Sequence, residues 1–216
     1  MEKLKQPEQV DRIVSIAVDV QNDFCPGGAL GVNQGDQVID PINRLSDFTR
    51  KNNGLVIASM DWHRADTKHF ESWPPHCIEG TFGAELRRDL DIRAGDVIIK
   101  KGQGGTDGYS AFEGYAANGR KLEDILLPSP GERVAVLIGG LATDYCVKNT
   151  VMDALKFADE IRQKQVGAIA VFVIEDAMKA VDLKRNDGKK AIKEMKSGGA
   201  KFINIADVVN GDVIEL

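Results

Sequence analysis

The sequence predicts an α/β protein of three layers, α/β/α, around a six-stranded, mostly parallel, Rossmann-like sheet. Three observations carry this. Short apolar runs rich in Val and Ile alternate with stretches of helical periodicity, the pattern of βαβ units. Those runs show no polar alternation, as expected of strands covered on both faces. Several of them stop at a charged residue or a glycine pair, which marks a strand's carboxyl end.

The elements follow in order. Ile13 to Asp19 is the first strand, apolar until it meets an acid. An acid closing a buried strand is costly unless it is paired or used. Phe24-Cys25-Pro26-Gly27-Gly28 breaks regular structure. Val38, Ile39, Ile42, Leu45 and Phe48 then fall at helical spacing, with Pro41 near the helix start. Leu55 to Met60 is the second strand and runs into Asp61. Trp62 to Cys77 shows little periodicity and holds all three histidines and both tryptophans. A long loop inside a compact domain is usually functional.

Val97 to Ile99 forms a third strand ending in Lys100-Lys101, followed by Gly102, Gly104, Gly105 and Gly108. No Gly-Lys-Ser/Thr closes this stretch, so it is not a phosphate-cradling loop. Tyr109 to Gly119 reads as loop and Leu122 to Leu127 as a short helix. Val134 to Ile138 is the fourth strand, ended by Gly139-Gly140. A helix follows, with Val147, Val151, Ala154, Leu155 and Ala158 on one face. Thr143 as N-cap places Cys146 in its first turn, where free N–H groups lower a thiol's pKa and can hold an oxyanion. Ala168 to Ile174 is the fifth strand, Asp187 to Lys196 a helix, and Phe202 to Ile205 the sixth strand. With no repeat, low-complexity segment or linker, the 216 residues read as one domain, with 1–11 as an N-terminal extension.

Composition narrows the function. Hydrophobic residues make up 43% and the net charge is -5, with basic and acidic residues interspersed, so no nucleic-acid footprint is visible. No apolar run approaches the ~18 residues of a membrane helix. Three cysteines make no disulfide framework and the N-terminus lacks an apolar signal region, so the reducing cytosol is the expected setting.

In open α/β sheets ligands sit beyond the carboxyl ends of the strands. Asp19, Asp61, the Lys100-Lys101 pair and the Cys146 loop all lie there. A cysteine nucleophile needs a base, and an aspartate oriented by an ammonium can serve. The pattern does not choose between the two lysines. Asp61 and His63 share one side of the chain, and His69 and His76 can fold back toward them. One carboxylate and three imidazoles suit one divalent metal ion, Zn2+ first, with Fe2+ or Mn2+ as alternatives. Cys25 and Cys77 are read as structural. Phe24 and Trp73 offer flat walls for an aromatic ring.

These residues fall into stretches that resemble a known family: Val18-Asp19-Val20-Gln21-Asn22-Asp23-Phe24-Cys25, Asp61-Trp62-His63 with His69, Ser72-Trp73-Pro74-Pro75-His76-Cys77, Lys101-Gly102 with Tyr109-Ser110-Ala111-Phe112, and Gly140-Leu141-Ala142-Thr143-Asp144-Tyr145-Cys146-Val147. The chain resembles the nicotinamidase branch of the isochorismatase-like cysteine hydrolases. That resemblance implies hydrolysis of the small molecule nicotinamide to nicotinate and ammonia, in NAD salvage, and action on pyrazinamide. It implies Cys146 as nucleophile, Asp19 as base and Lys101, rather than Lys100, as their partner. It implies Asp61, His63, His69 and His76 as metal ligands, and Ala142 and Cys146 N–H groups as the oxyanion hole beside a cis Leu141–Ala142 peptide. It places Phe24, Trp73, Leu141 and Tyr145 around the substrate. Tyr145 stands where some members carry histidine. Assembly stays open, a homo-oligomer included.

Overall fold

In the computed structural model, which describes residues 10–104 and 107–210, seven strands form one sheet in the order β4-β3-β2-β1-β5-β6-β7. Most of the expected extension 1–11, and Gly105, lie outside the described residues. The strands are β1 (Arg12–Val18), β2 (Leu55–Asp61), β3 (Val97–Lys101), β4 (Tyr115–Ala116), β5 (Arg133–Leu141), β6 (Ala168–Lys179) and β7 (Lys201–Ile203). All neighbours pair in parallel except β3 and β4. The helices are α1 (Ile39–Lys51), α2 (Leu122–Leu126), α3 (Lys148–Gln163), α4 (Asp187–Ser197) and α5 (Ile205–Val209).

The three layers follow from alternation along the central strands. Val14, Ile16 and Val18 of β1, with Val134, Val136 and Ile138 of β5, face a core closed by α2, α3 and α4. Ala17, Ala135 and Leu137 point the other way, into a core closed by α1 and α5. Burying Ile39, Ile42 and Leu45 of α1 there contributes roughly 1.5–3 kcal/mol for each side chain. Pro41 is tolerated because it sits in the first helical turn, before an intrahelical N–H is needed.

The structure departs from the six-strand expectation at β4, a two-residue antiparallel strand inside the segment read as loop. Two residues give no alternation to detect. β6 continues past Glu175-Asp176 to Lys179, and β5 runs through Gly139-Gly140 to Leu141. The glycine pair does not end β5. It marks a break in register with β6 between Ile138 and Gly140.

Gly140 is required where it stands. Its φ is +134°, and a Cβ there would lie 2.1 Å from the carbonyl oxygen of Val18 in β1. This close approach sets the end of β5 beside the end of β1. Gly140→Ala is expected to lower the unfolding free energy by at least ~2 kcal/mol, as read from urea denaturation of the two proteins.

Candidate active site

The chain leaves the sheet at four neighbouring carboxyl ends, and each delivers one polar group. Beyond β1, Asp19 adopts a left-handed φ of 50° and is wholly buried. Asp61 closes β2 and Lys101 closes β3, and the two are Cα partners in the β2–β3 register. Cys146 follows β5. β1 has β2 on one side and β5 on the other, so the groups meet where the sheet's strand order reverses.

Lys101 is the hub. Its buried ammonium pairs with Asp19 Oδ2 at 2.7 Å, donates to Asp61 Oδ1 and to the Gly108 carbonyl, and lies 3.5 Å from Cys146 Sγ. One carboxylate oxygen of Asp19, one of Asp61 and the cysteine sulfur lie within 4.8 Å of one another. Lys100 points to the opposite face, 3.4 Å from the centroid of the Trp62 ring. The choice that the pattern left open is therefore made by strand register.

Electrostatics separates the two acids. Burial pushes Asp19 up to about 6, against the pull of Lys101 and with the help of Asp61. Burial also raises Asp61, but Lys101 and His63 overcome it and hold that carboxyl down at about 2. Burial disfavours the Lys101 ammonium, yet Asp19 and Asp61 outweigh it and keep the group charged. Ser59 Oγ donates to Asp19 Oδ1 at 2.7 Å. Among the described residues, Asp19 Oδ2 has the ammonium beside it but accepts no well-aligned hydrogen bond.

Cys146 differs from the sequence expectation in two ways. It lies in a π-turn, Thr143–Val147, and α3 begins only at Lys148. Thr143 is the first residue of that turn and not a side-chain cap. The Ala142 carbonyl organises it by accepting the N–H groups of Tyr145 and Val147, each at 3.1 Å. Nor is the thiol acidified: burial pushes it well above the usual range, Lys101 opposes, and Asp19 and Asp61 add to the rise. The Leu141–Ala142 peptide is cis, as the resemblance implied.

Three buried imidazoles form a second cluster beside Asp61. One ring nitrogen from each of His63, His69 and His76 lies within 4.8 Å of the other two. Asp61 Oδ2 lies 3.6 Å from His63 Nε2 and 3.9 Å from His76 Nε2. His76 Nδ1 meets the Pro74 carbonyl at 2.7 Å, which puts the proton there and leaves the Nε2 lone pair facing the cluster. His69 Nδ1 meets Asp107 Oδ1 at 3.1 Å. Burial lowers the pKa of His76, which favours the neutral, ligating form. Among the described residues, neither nitrogen of His63 has a hydrogen-bond partner, although the ring is fully buried. An orphaned buried imidazole in a set of three histidines and one aspartate, with outer partners orienting the other rings, fits a divalent metal.

A pocket of about 380 Å³, solvent at its mouth included, opens onto both clusters. Asp61, His69, His76, Ala142 and Cys146 line its floor, and Phe24, Trp73, Tyr109 and Tyr145 its aromatic walls. Trp73 Nε1 donates to Tyr109 Oη at 2.9 Å, and its ring meets Tyr145 edge-on at 5.0 Å. Asp19, Lys101 and His63 sit behind the floor. Leu141 does not reach the pocket and is packed in the α1 side of the core. Leu30 and Val181 also line the pocket, with no signal in sequence beyond being apolar. Cys25 and Cys77 are buried free thiols outside both clusters.

Gly102 makes room for His63. Its φ is +77°, and a Cβ would fall 2.5 Å from His63 Cε1 and 2.7 Å from Nδ1. If these residues hold a divalent ion, Gly102→Ala is expected to weaken its binding about tenfold or more, measured with zinc as the probe by competition with a chromophoric chelator.

Comparison with known proteins identifies the family. The isochorismatase domain family model covers residues 14–207. The nicotinamidase of Escherichia coli is 36% identical over 89% of this chain and 94% of its own. The pyrazinamidase of Pyrococcus horikoshii, solved in complex with zinc, superposes with a TM-score of 0.74 at 34% identity, over 89% of this chain and 99% of that one. PnC1 from L. infantum, in complex with nicotinate, gives 0.73 at 28% identity, over 97% and 99%. The chain belongs to the isochorismatase domain family.

Proposed function

We propose that this protein is a nicotinamidase that hydrolyses nicotinamide to nicotinate and ammonia through a Cys146 thioester, and that it also takes pyrazinamide. The observation that carries the reading is the contact of one buried ammonium, Lys101, with Asp19, Asp61 and the Cys146 sulfur beneath an aromatic-walled pocket. The nicotinamidase and pyrazinamidase relatives support the substrate class.

Because the Cys146 thiol is held neutral, attack needs a base at the moment of reaction. Asp19 is that base. Its Oδ2 is available and its position is fixed by Ser59 and Lys101. The Cys146 proton passes to Asp19 as sulfur bonds to the amide carbon. The oxygen of the tetrahedral adduct is held by the Ala142 and Cys146 N–H groups, donors of a kind worth roughly 2.7–4 kcal/mol. Asp19 returns the proton to nitrogen, the C–N bond breaks, and ammonia leaves. Water then adds to the thioester with Asp19 taking its proton, and nicotinate is released with the thiol restored. Lys101 balances the charge as the proton moves.

Phe24 and Trp73 flank the ring. Asp61, His63, His69 and His76 would hold a divalent metal, Zn2+ first and Fe2+ or Mn2+ as alternatives. A metal held by these residues would supply Lewis acidity to the substrate ring. The carboxylate of Asp61 is suited to this place because it stays ionised.

Ammonia release from nicotinamide tests the reading. Cys146→Ala is expected to lose activity by on the order of 10³-fold or more. Equal rates in the two proteins, or turnover of carbamoyl compounds and none of nicotinamide, would sink it. The pH profile gives a second check. Asp19 accepts a proton only when ionised, so kcat/KM is expected to fall as pH drops through about 6 and to level off above it.

A further inference from the structure

Asp61 depends on a residue that has no part in the chemistry above. The β1–β2 ladder ends at the pair Val18–Ser59, because the left-handed turn at Asp19 takes the chain out of the sheet. The Asp19 N–H still reaches the Ser59 carbonyl, at 3.2 Å. Two residues further along β2, Asp61 has β3 on one side and, among the described residues, no strand on the other. Its N–H and C=O on that side are buried and need partners.

Gln21 supplies both with its side chain. Its Oε1 accepts the Asp61 N–H at 2.8 Å, and its Nε2 donates to the Asp61 carbonyl at 2.8 Å. The second Nε2 hydrogen goes to the Ala84 carbonyl, also at 2.8 Å. The residue is wholly buried. One amide thus pairs with both backbone polar groups of Asp61, as the backbone of a neighbouring strand would. The other side of the same peptide region is tied by Trp62 N–H to the Lys101 carbonyl at 2.8 Å.

We propose that Gln21 is a positioning residue for the metal centre: it substitutes for the missing strand and fixes Asp61 so that one carboxylate oxygen meets Lys101 while the other faces His63 and His76. A strand end free to fray would let that carboxylate turn fully onto the ammonium and leave the imidazoles without an anionic partner. The inference rests on the metal-binding reading of Asp61 given above.

Gln21→Met keeps length and removes all three side-chain hydrogen bonds. Gln21→Glu keeps the shape and the acceptor for the Asp61 N–H but loses both donors. The zinc Kd of metal-free protein, its thermal midpoint, and kcat/KM for nicotinamide at limiting and saturating zinc are to be measured on each. Zinc binding is expected to weaken 10–100-fold, with much of kcat/KM restored by excess zinc. Asn22→Ala, which loses an exposed bond to the Phe82 carbonyl, is expected to keep the wild-type Kd. A lower thermal midpoint with an unchanged zinc Kd would make Gln21 a structural strut and overturn the proposal. If Gln21→Met does not fold, Gln21→Glu decides by the same criterion. Wild-type protein that binds no zinc would instead overturn the metal reading itself, before any variant is compared.

Discussion

The site is built on an unbalanced buried charge cluster: one ammonium, Lys101, against two carboxylates, Asp19 and Asp61, with none of the three more than marginally exposed. Burying ions costs several kcal/mol each unless they are paired. One positive charge can satisfy only one acid fully. The imbalance falls on Asp19, whose carboxyl rises to about 6, while Asp61 has the histidines as well as the lysine and stays ionised. Under the proposed function, the same shortage of positive charge that would make Asp19 a usable base would also make Asp61 a suitable partner for a cation. Two roles thus emerge from one cluster, because the environments push the two acids apart.

Much of this was legible in the sequence because it rests on strand ends. Apolar runs that stop at Asp19 and Asp61 reveal carboxyl ends, and carboxyl ends in a parallel sheet share one rim. The crowding of every histidine into Trp62–Cys77 pointed to the second cluster for a similar reason. Lys100 and Lys101 could not be separated by pattern, since the answer lies in the pairing of Asp61 with Lys101 across β2 and β3. Ser59, Gln21 and Asp107 were illegible for a related reason. Each acts through one hydrogen bond or a few to a group 38–40 residues away, and nothing local in the chain announces it. The π-turn at Cys146 cannot be told from an ordinary helix start in the sequence, because its apolar spacing is nearly the same.

The loop that carries His76 is held from the segment after β1. Asp23 Oδ2 accepts the Cys77 N–H at 2.7 Å, and its Oδ1 accepts from Ala29 at 3.1 Å. The Asn22 N–H reaches the Glu85 carbonyl at 3.0 Å. Phe24, on this same segment, stands as a pocket wall with its ring 5.4 Å from His76. The wall that would flank a substrate ring and the imidazole that would hold a metal are therefore set by one short piece of chain. Displacing that piece would disturb both together, which ties ring recognition to the metal cluster mechanically.

The raised pKa of Cys146 bears on why the three side chains must converge. A cysteine lowered by a helix terminus carries its own thiolate and needs only access. Here the buried sulfur lies near two carboxylates, and the thiol form prevails at neutral pH. In the proposed mechanism nucleophilicity then depends on Asp19 Oδ2 taking the proton during attack, so it would appear only when an electrophile is in place above the sulfur. Lys101 makes that transfer feasible in charge terms, since the ammonium stays within reach of the acid that gains the proton and the sulfur that loses it. Moving Asp19 away from the thiol would leave a buried, inert cysteine, chemically no different from Cys25 or Cys77, whose thiols burial also holds neutral.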